Sequence, residues 1–247
     1  MAQNLTQFLT NIANAIRAKK GTSAKINAAD FATEIENLPS GGDTSVEDGL
    51  VSGTIATYSN NRVSSTAAYS FYNNTKLTSI DLPNITTTGT YSFYGCTGLT
   101  NISFPKVTSL GSYTFRGCSG LTSINLPLLK SGNTYVFYGC SKLKEAILPS
   151  YSSAVSNYMF QNCSLLEKAD VNVATSVGSS TFASCYSLKS LILRKTDKIA
   201  TLSNTNAFTN CYHFTGTENS TYNPSGAKDG YIYVADNLVD SYKAATN

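Results

Sequence analysis

The chain has 247 residues, of which 41% are hydrophobic and only 13% are charged, with a formal net charge of +3. A normal apolar share with few charges argues against intrinsic disorder, which goes with high charge and few apolar residues. No cluster of Lys or Arg indicates nucleic-acid binding, and no run of about 18 apolar residues indicates a membrane span. A single histidine leaves little room for zinc sites or for Ser-His catalysis.

Residues 1–38 are predicted to form a small helical module. Over residues 4–20, and again over about residues 28–38, apolar side chains recur at helical spacing and form one stripe. Two short helices cannot bury a full core alone, so we expect the stripes to pack on each other and on a partner copy, giving a homo-oligomer. The module lacks the charged start and apolar core of a secretion signal. A linker is predicted over residues 39–49.

A repeat of about 22 residues accounts for the middle of the chain. Each copy is marked by a phenylalanine, at Phe71, Phe93, Phe115, Phe137, Phe160, Phe182 and Phe208. Three residues later comes Asn74 in the first copy and a cysteine in the others, at Cys96, Cys118, Cys140, Cys163, Cys185 and Cys211. The pattern continues as Leu-x-x-Ile-x-Leu-Pro, which alternates inward and outward as a short strand ended by proline.

This period and leucine spacing predict a leucine-rich-repeat solenoid. Stacked coils, about 4.8 Å apart, would bury phenylalanine, leucine and isoleucine as continuous ladders, because no coil can bury its own apolar face. The isoleucine position becomes Ala146 and Ala169 in later copies, and the proline position becomes Asn172 and Arg194. We therefore expect a looser C-terminal half.

The units Phe-x-x-Cys-x-x-Leu and Leu-x-x-Ile-x-Leu-Pro resemble the BspA-type (Treponema-type) leucine-rich repeats over roughly residues 50–220. The resemblance implies a right-handed solenoid-like arc of the kind found in bacterial surface proteins and adhesins that bind host or matrix proteins. We predict a mainly β and irregular fold of about six to seven coils over residues 50–227, with a strand-helix cap over residues 228–247 that covers the last apolar face.

A second resemblance concerns residues 11–19 and 27–31, which look like the N-terminal module of phage tail and virion structural proteins. It implies attachment or oligomerisation and no chemistry.

All six cysteines occupy one repeat slot, and no Cys-x-x-Cys pair suggests a metal site. Equivalent slots in neighbouring coils come close enough for a disulfide, but their Cβ vectors are parallel rather than facing. Asn74 fills the same slot, where these repeats usually carry a hydrogen-bonding asparagine ladder. We therefore predict six free, poorly reactive thiols that pack as small buried hydrophobes.

Two surfaces compete as a docking site. The first is the outward side of the strands, formed by Ser79, Asp81, Asn101, Ser103, Ser123, Asn125, Glu145, Ile147, Lys168 and Asp170. The second, the tyrosine stripe, flanks the phenylalanines and consists of Tyr69, Tyr91, Tyr113, Tyr135 and Tyr158 with Tyr72, Tyr94, Arg116 and Tyr138. Tyrosine among Ser, Asn and Gly is typical of adaptable binding surfaces, but these rings could also simply shield the phenylalanine ladder. Strand alternation favours their burial, and variability at these positions in the BspA-type pattern favours their exposure.

The predicted function is non-enzymatic recognition or adhesion, without cofactor or metal. The repeat surface would face a protein or glycan partner on a host or bacterial surface, with no nucleic-acid partner. The alternative is a purely structural spacer or virion component without a specific ligand. The expected location is extracellular, at a cell surface or on a phage tail. His213, the only imidazole, lies in the irregular last repeat and is expected to be a surface residue rather than a catalytic base.

Overall fold

The computed structural model describes residues 45–46, 56–172, 176–193, 206–215 and 229–234. The predicted helical module at residues 1–38 and the predicted helix of the C-terminal cap lie outside them. The described residues contain short strands and one short helix. In chain order these are β1 (Ser45–Val46), β2 (Thr57–Ser59), β3 (Ser65–Thr66), β4 (Ser79–Asp81), β5 (Thr87–Thr88), β6 (Asn101–Ser103), β7 (Ser109–Leu110), β8 (Ser123–Asn125), β9 (Ser131–Gly132), β10 (Glu145–Leu148), β11 (Lys168–Val171), β12 (Ser190–Leu193), α1 (Tyr212–Thr215) and β13 (Tyr231–Tyr233).

The strands form three parallel sheets in which one coil follows the next. Their orders are β1-β3-β5-β7-β9, β2-β4-β6 and β8-β10-β11-β12-β13. Pairing joins equivalent positions of successive repeats, so that Ser79 lies opposite Asn101 and Ser123 opposite Glu145. Parallel, in-register pairing at one repeat per step is the solenoid that the sequence predicts. The two residues of β1, inside the predicted linker, already pair with β3.

The core consists of ladders that run along the solenoid. All seven repeat phenylalanines stack in one column, with ring centroids 4.9–5.6 Å apart and planes within 15° of parallel. The repeat leucines from Leu77 to Leu188 form a second, fully buried column. In β4, β6 and β8 the middle residue is the least exposed of the three, as Ile124 is in β8 between exposed Ser123 and Asn125. The predicted ladders are confirmed.

The described strands of the C-terminal half do not show the looser packing expected from the sequence. Strands β10, β11 and β12 have four residues each and pair along their full length, whereas the earlier strands have two or three. Ala146 and Ala169 remain fully buried at the isoleucine position. Where Asn172 replaces proline, its backbone N–H donates to the Leu148 carbonyl over 3.4 Å, a bond that proline cannot make. At this position, the replacement of proline by Asn172 therefore adds a backbone hydrogen bond between coils.

The end of the described solenoid is held by polar contacts. His213 in α1, expected at the surface, is only 5% exposed, and its Nδ1 lies 2.5 Å from the Asp229 carboxylate. That carboxylate also lies 3.4 Å from Lys189 Nζ, and the Gly230 N–H donates to the His213 carbonyl. The contact between His213 and Asp229 ties α1 to the residues that lead into β13, which pairs with β12. At four residues, α1 is the one α-helix of the described chain and is far too short to cross a bilayer.

Candidate functional site: a tyrosine stripe on the coil turns

The residues around each phenylalanine form a turn rather than a strand. The residue two places before the phenylalanine has positive φ in six coils, at Tyr69, Tyr91, Tyr113, Tyr135, Tyr158 and Ser180, with values of 52–62°. The residue two places after it also has positive φ, at Asn73, Gly95, Gly117, Gly139, Asn162, Ser184 and Asn210. Strand alternation therefore does not apply to the tyrosines, and the expectation of their burial on that ground is wrong.

Backbone hydrogen bonds join each turn to the next coil. In one turn the N–H groups of Tyr91, Phe93 and Gly95 donate to the carbonyls of Ser112, Thr114 and Arg116 over 2.8–3.0 Å. The same bonds recur in the following coils, so equivalent Cβ atoms are held one above another. The side chains of the turns therefore form straight files along the solenoid.

The first file of the tyrosine stripe is a continuous ring stack. Tyr69, Tyr91, Tyr113, Tyr135 and Tyr158 follow one another at centroid distances of 4.5–5.1 Å, with planes within 9° of parallel. Each inner ring has both faces covered by its neighbours. The stripe is therefore built from ring edges and hydroxyl groups.

The second file runs beside the first and contains one cation. Tyr72 and Tyr94 stack at 5.0 Å. The Arg116 guanidinium carbon then lies 5.7 Å from the Tyr94 ring centroid and 4.7 Å from that of Tyr138. Edge contacts link the two files, for example Tyr69 with Tyr72 at 5.5 Å. The structure thus brings together all nine residues that the sequence predicted for this surface.

The tyrosine stripe is neither core nor freely solvated surface. Tyr69 and Tyr72, at its N-terminal end, are 50% and 41% exposed, and the other seven side chains are half-buried. Burial, together with the neighbouring tyrosines, raises the pKa of Tyr91 and Tyr135 above the usual value. Their hydroxyls therefore stay protonated at neutral pH and can both donate and accept hydrogen bonds.

The competing surface, the outward side of the strands, is polar and in part self-paired. Asn101, Ser103, Ser123 and Asn125 are exposed in its centre. Towards the C-terminal side, Lys168 and Glu145 form a half-exposed ion pair over 2.8 Å. Asp170 was expected on this solvated side but is only 4% exposed, which removes it from the available surface.

The cysteine ladder lies inside the coils and is buried, whereas the tyrosine stripe is partly exposed. All six thiols are free and buried, as predicted. Each Sγ donates to the carbonyl of the phenylalanine in the preceding coil over 3.0–3.2 Å, so the thiols are hydrogen-bond donors as well as packing groups. Asn74 Oδ1, in the same slot, accepts from the backbone N–H groups of Lys76 and Leu77. Burial raises the pKa of Cys140 and Cys211 to about 12.

Sequence reasoning missed the backbone conformation of the stripe and the aromatic surroundings of Arg116. A signal existed two places after the phenylalanine, where six of the seven coils carry Asn or Gly, the residues that best tolerate a left-handed conformation. The tyrosine position carried no such signal, since a bulky residue is uncommon in that conformation.

A family model described as the BspA type leucine rich repeat region, in six copies, matches residues 54–130 and 86–215. The chain belongs to the BspA-type leucine-rich repeat family. No functionally curated protein is similar enough to count as a relative.

Three solved structures are similar to this chain at low sequence identity. A leucine-rich repeat protein of T. pallidum is 23% identical with a TM-score of 0.43, covering 55% of this chain and 79% of its own. A leucine rich cell surface protein of Faecalibacterium prausnitzii is 21% identical with a TM-score of 0.45, covering 62% and 51%. The pneumococcal vaccine antigen PcpA is 18% identical with a TM-score of 0.53, covering 78% and 44%. The chain spans about half the length of the last two.

Proposed function

We propose that the protein is a non-enzymatic recognition protein of a bacterial surface, and that the tyrosine stripe is its contact surface for a protein or glycan. Membership of a repeat family that occurs in surface proteins and adhesins supports the setting. Tyrosine set among Ser, Thr and Gly supports the surface, because tyrosine gives large contact area at a low entropy cost.

The observation that carries the proposal is the repeated use of tyrosine where the backbone disfavours it. A left-handed backbone conformation costs a non-glycine residue about 1–2 kcal/mol of conformational free energy. Strained residues of this kind concentrate at functional sites. Ser180 occupies the same slot of a later coil at a φ of 52°, so the turn forms without an aromatic ring. Five successive tyrosines in this slot are better explained by what their edges contact than by the needs of the fold.

The test compares the two competing surfaces with matched variants. One variant carries Tyr91→Ser, Tyr113→Ser and Tyr135→Ser, which follow the precedent of Ser180. The control carries Asn101→Ala and Asn125→Ala on the outward side of the strands. Wild type and both variants are screened on glycan and host-protein arrays. We expect the tyrosine variant to lose its hits and the strand variant to keep them.

The reverse result, or equal binding by all three proteins, overturns the proposal. Absence of any hit for wild type supports the alternative of a structural spacer. Cell fractionation separates the proposed bacterial surface from a phage tail, the setting suggested by the sequence of residues 1–38. Light scattering of the full-length chain tests the homo-oligomer predicted from the same residues.

A further inference from the structure

Arg116 is the only charged residue in the coil turns that carry the tyrosine stripe. These turns are residues 67–75, 89–97, 111–119, 133–141 and 156–164, and every other residue in them is neutral. Arg116 occupies the slot that holds Tyr72, Tyr94 and Tyr138 in other coils. Its position is central, with two coils of the stripe on either side. Any partner that lies along the stripe meets this cation midway.

The surroundings of Arg116 hold the guanidinium without neutralising it. Four tyrosine rings, those of Tyr94, Tyr113, Tyr135 and Tyr138, have centroids within 4.7–5.7 Å of its Cζ. Ring faces attract the cation, but they do not accept the hydrogen bonds of its in-plane N–H groups, which match a carboxylate or sulfate. Among the described residues, no carboxylate pairs with it. The half-buried guanidinium is thus oriented by the rings and keeps donors for an anion.

The shape of the stripe narrows the class of the partner. The rings of the first file stack with centroid distances of 4.5–5.1 Å. A ligand therefore contacts a row of hydroxyl groups and ring edges rather than open ring faces. An extended peptide repeats its same-side groups about every 6.6–6.8 Å, two residues at a time, and does not match this pitch. Every pyranose unit of a polysaccharide carries several hydroxyl groups, and tyrosine hydroxyls can both donate hydrogen bonds to them and accept hydrogen bonds from them.

Resting on the proposed recognition function, we propose that the ligand is an acidic polysaccharide. It lies along the tyrosine stripe and places a carboxylate or sulfate group on Arg116. Neutral hydroxyls of its flanking sugars pair with the phenols of the neighbouring coils.

The experiment is a titration of the full-length chain with charged and neutral forms of the same polymer. Polygalacturonate is compared with its methyl ester, and dextran sulfate with dextran, so that the two pairs distinguish carboxylate from sulfate. We expect at least one acidic form to bind about 10–100-fold more tightly than its neutral form, the range that charge-assisted hydrogen bonds provide. Arg116→Tyr, which installs the residue of the neighbouring coils, should lose that difference, and Arg116→Lys should keep part of it.

Lys106→Gln is the matched control, because it removes an equal charge from an exposed proline turn. An equal loss in Lys106→Gln and Arg116→Tyr shows general charge attraction and overturns the proposal. Failure of both acidic polymers to bind, unchanged binding by Arg116→Tyr, or equally tight binding of polyglutamate also overturns it. None of these outcomes affects the array comparison of the tyrosine and strand variants, so recognition by the stripe can stand without an acidic glycan.

Discussion

The tyrosines of the stripe should contribute much less to the free energy of unfolding than the phenylalanines of the core. We compare one replacement of each kind. In Phe115→Ala a fully buried ring is deleted from the column, which costs about 3–5 kcal/mol of unfolding free energy. In Tyr113→Asn two stacked contacts, at 4.6 and 4.9 Å, are lost at about 0.5–1.5 kcal/mol each. Asparagine tolerates the left-handed backbone of this position better than tyrosine does, and the relief of backbone strain offsets about 1 kcal/mol of that loss. We therefore expect Tyr113→Asn to cost at most about 2 kcal/mol of unfolding free energy.

The assay is urea unfolding of both variants and wild type, followed by circular dichroism and tyrosine fluorescence, since the chain has no tryptophan. Coincident transitions by the two probes establish that a single free energy applies. A loss in Tyr113→Asn equal to that in Phe115→Ala would place the stripe in the core, and the strain argument for a binding role would then be refuted.

Three further predictions concern the turns, the thiols and the end of the solenoid. Gly111→Ala should destabilise the folded chain by about 1–3 kcal/mol in thermal melts, because the added Cβ would lie 2.7 Å from the Gly89 backbone. Gly117→Asn should leave the stability nearly unchanged, because asparagine accepts the φ of 74° at this position. Thiol titration at pH 8 should find no reaction in the native chain, given a Cys140 pKa of about 12, and six groups after denaturation. The hydrogen bond from His213 lowers the pKa of Asp229, so its stabilisation, present above about pH 4, is lost at lower pH. In Asp229→Asn, melting curves between about pH 4 and 2 should lack that loss, and an unchanged pH dependence would contradict it.

Much of the solenoid could be predicted because each coil repeats the same slots. Once Phe93, Phe115 and Phe137 fall at equal spacing, stacking is the way to bury all three, and the strand that follows is marked by its own alternation. The cysteine slot was predictable for the same reason, since parallel coils keep equivalent side chains side by side. His213 was not predictable, because its burial depends on Asp229, a residue that only the chain's return brings near.

The amino-acid sequence alone therefore determined the repeat, the ladders and the membership of each residue in a file, because these follow from period and polarity. The tertiary structure decided how far the side chains of each file are exposed to solvent. The left-handed turns, set by hydrogen bonds between coils, direct the tyrosines into a half-exposed stack, and the stack in turn orients Arg116 at its centre. Neither feature is visible from spacing, since both arise from contacts between coils rather than within one.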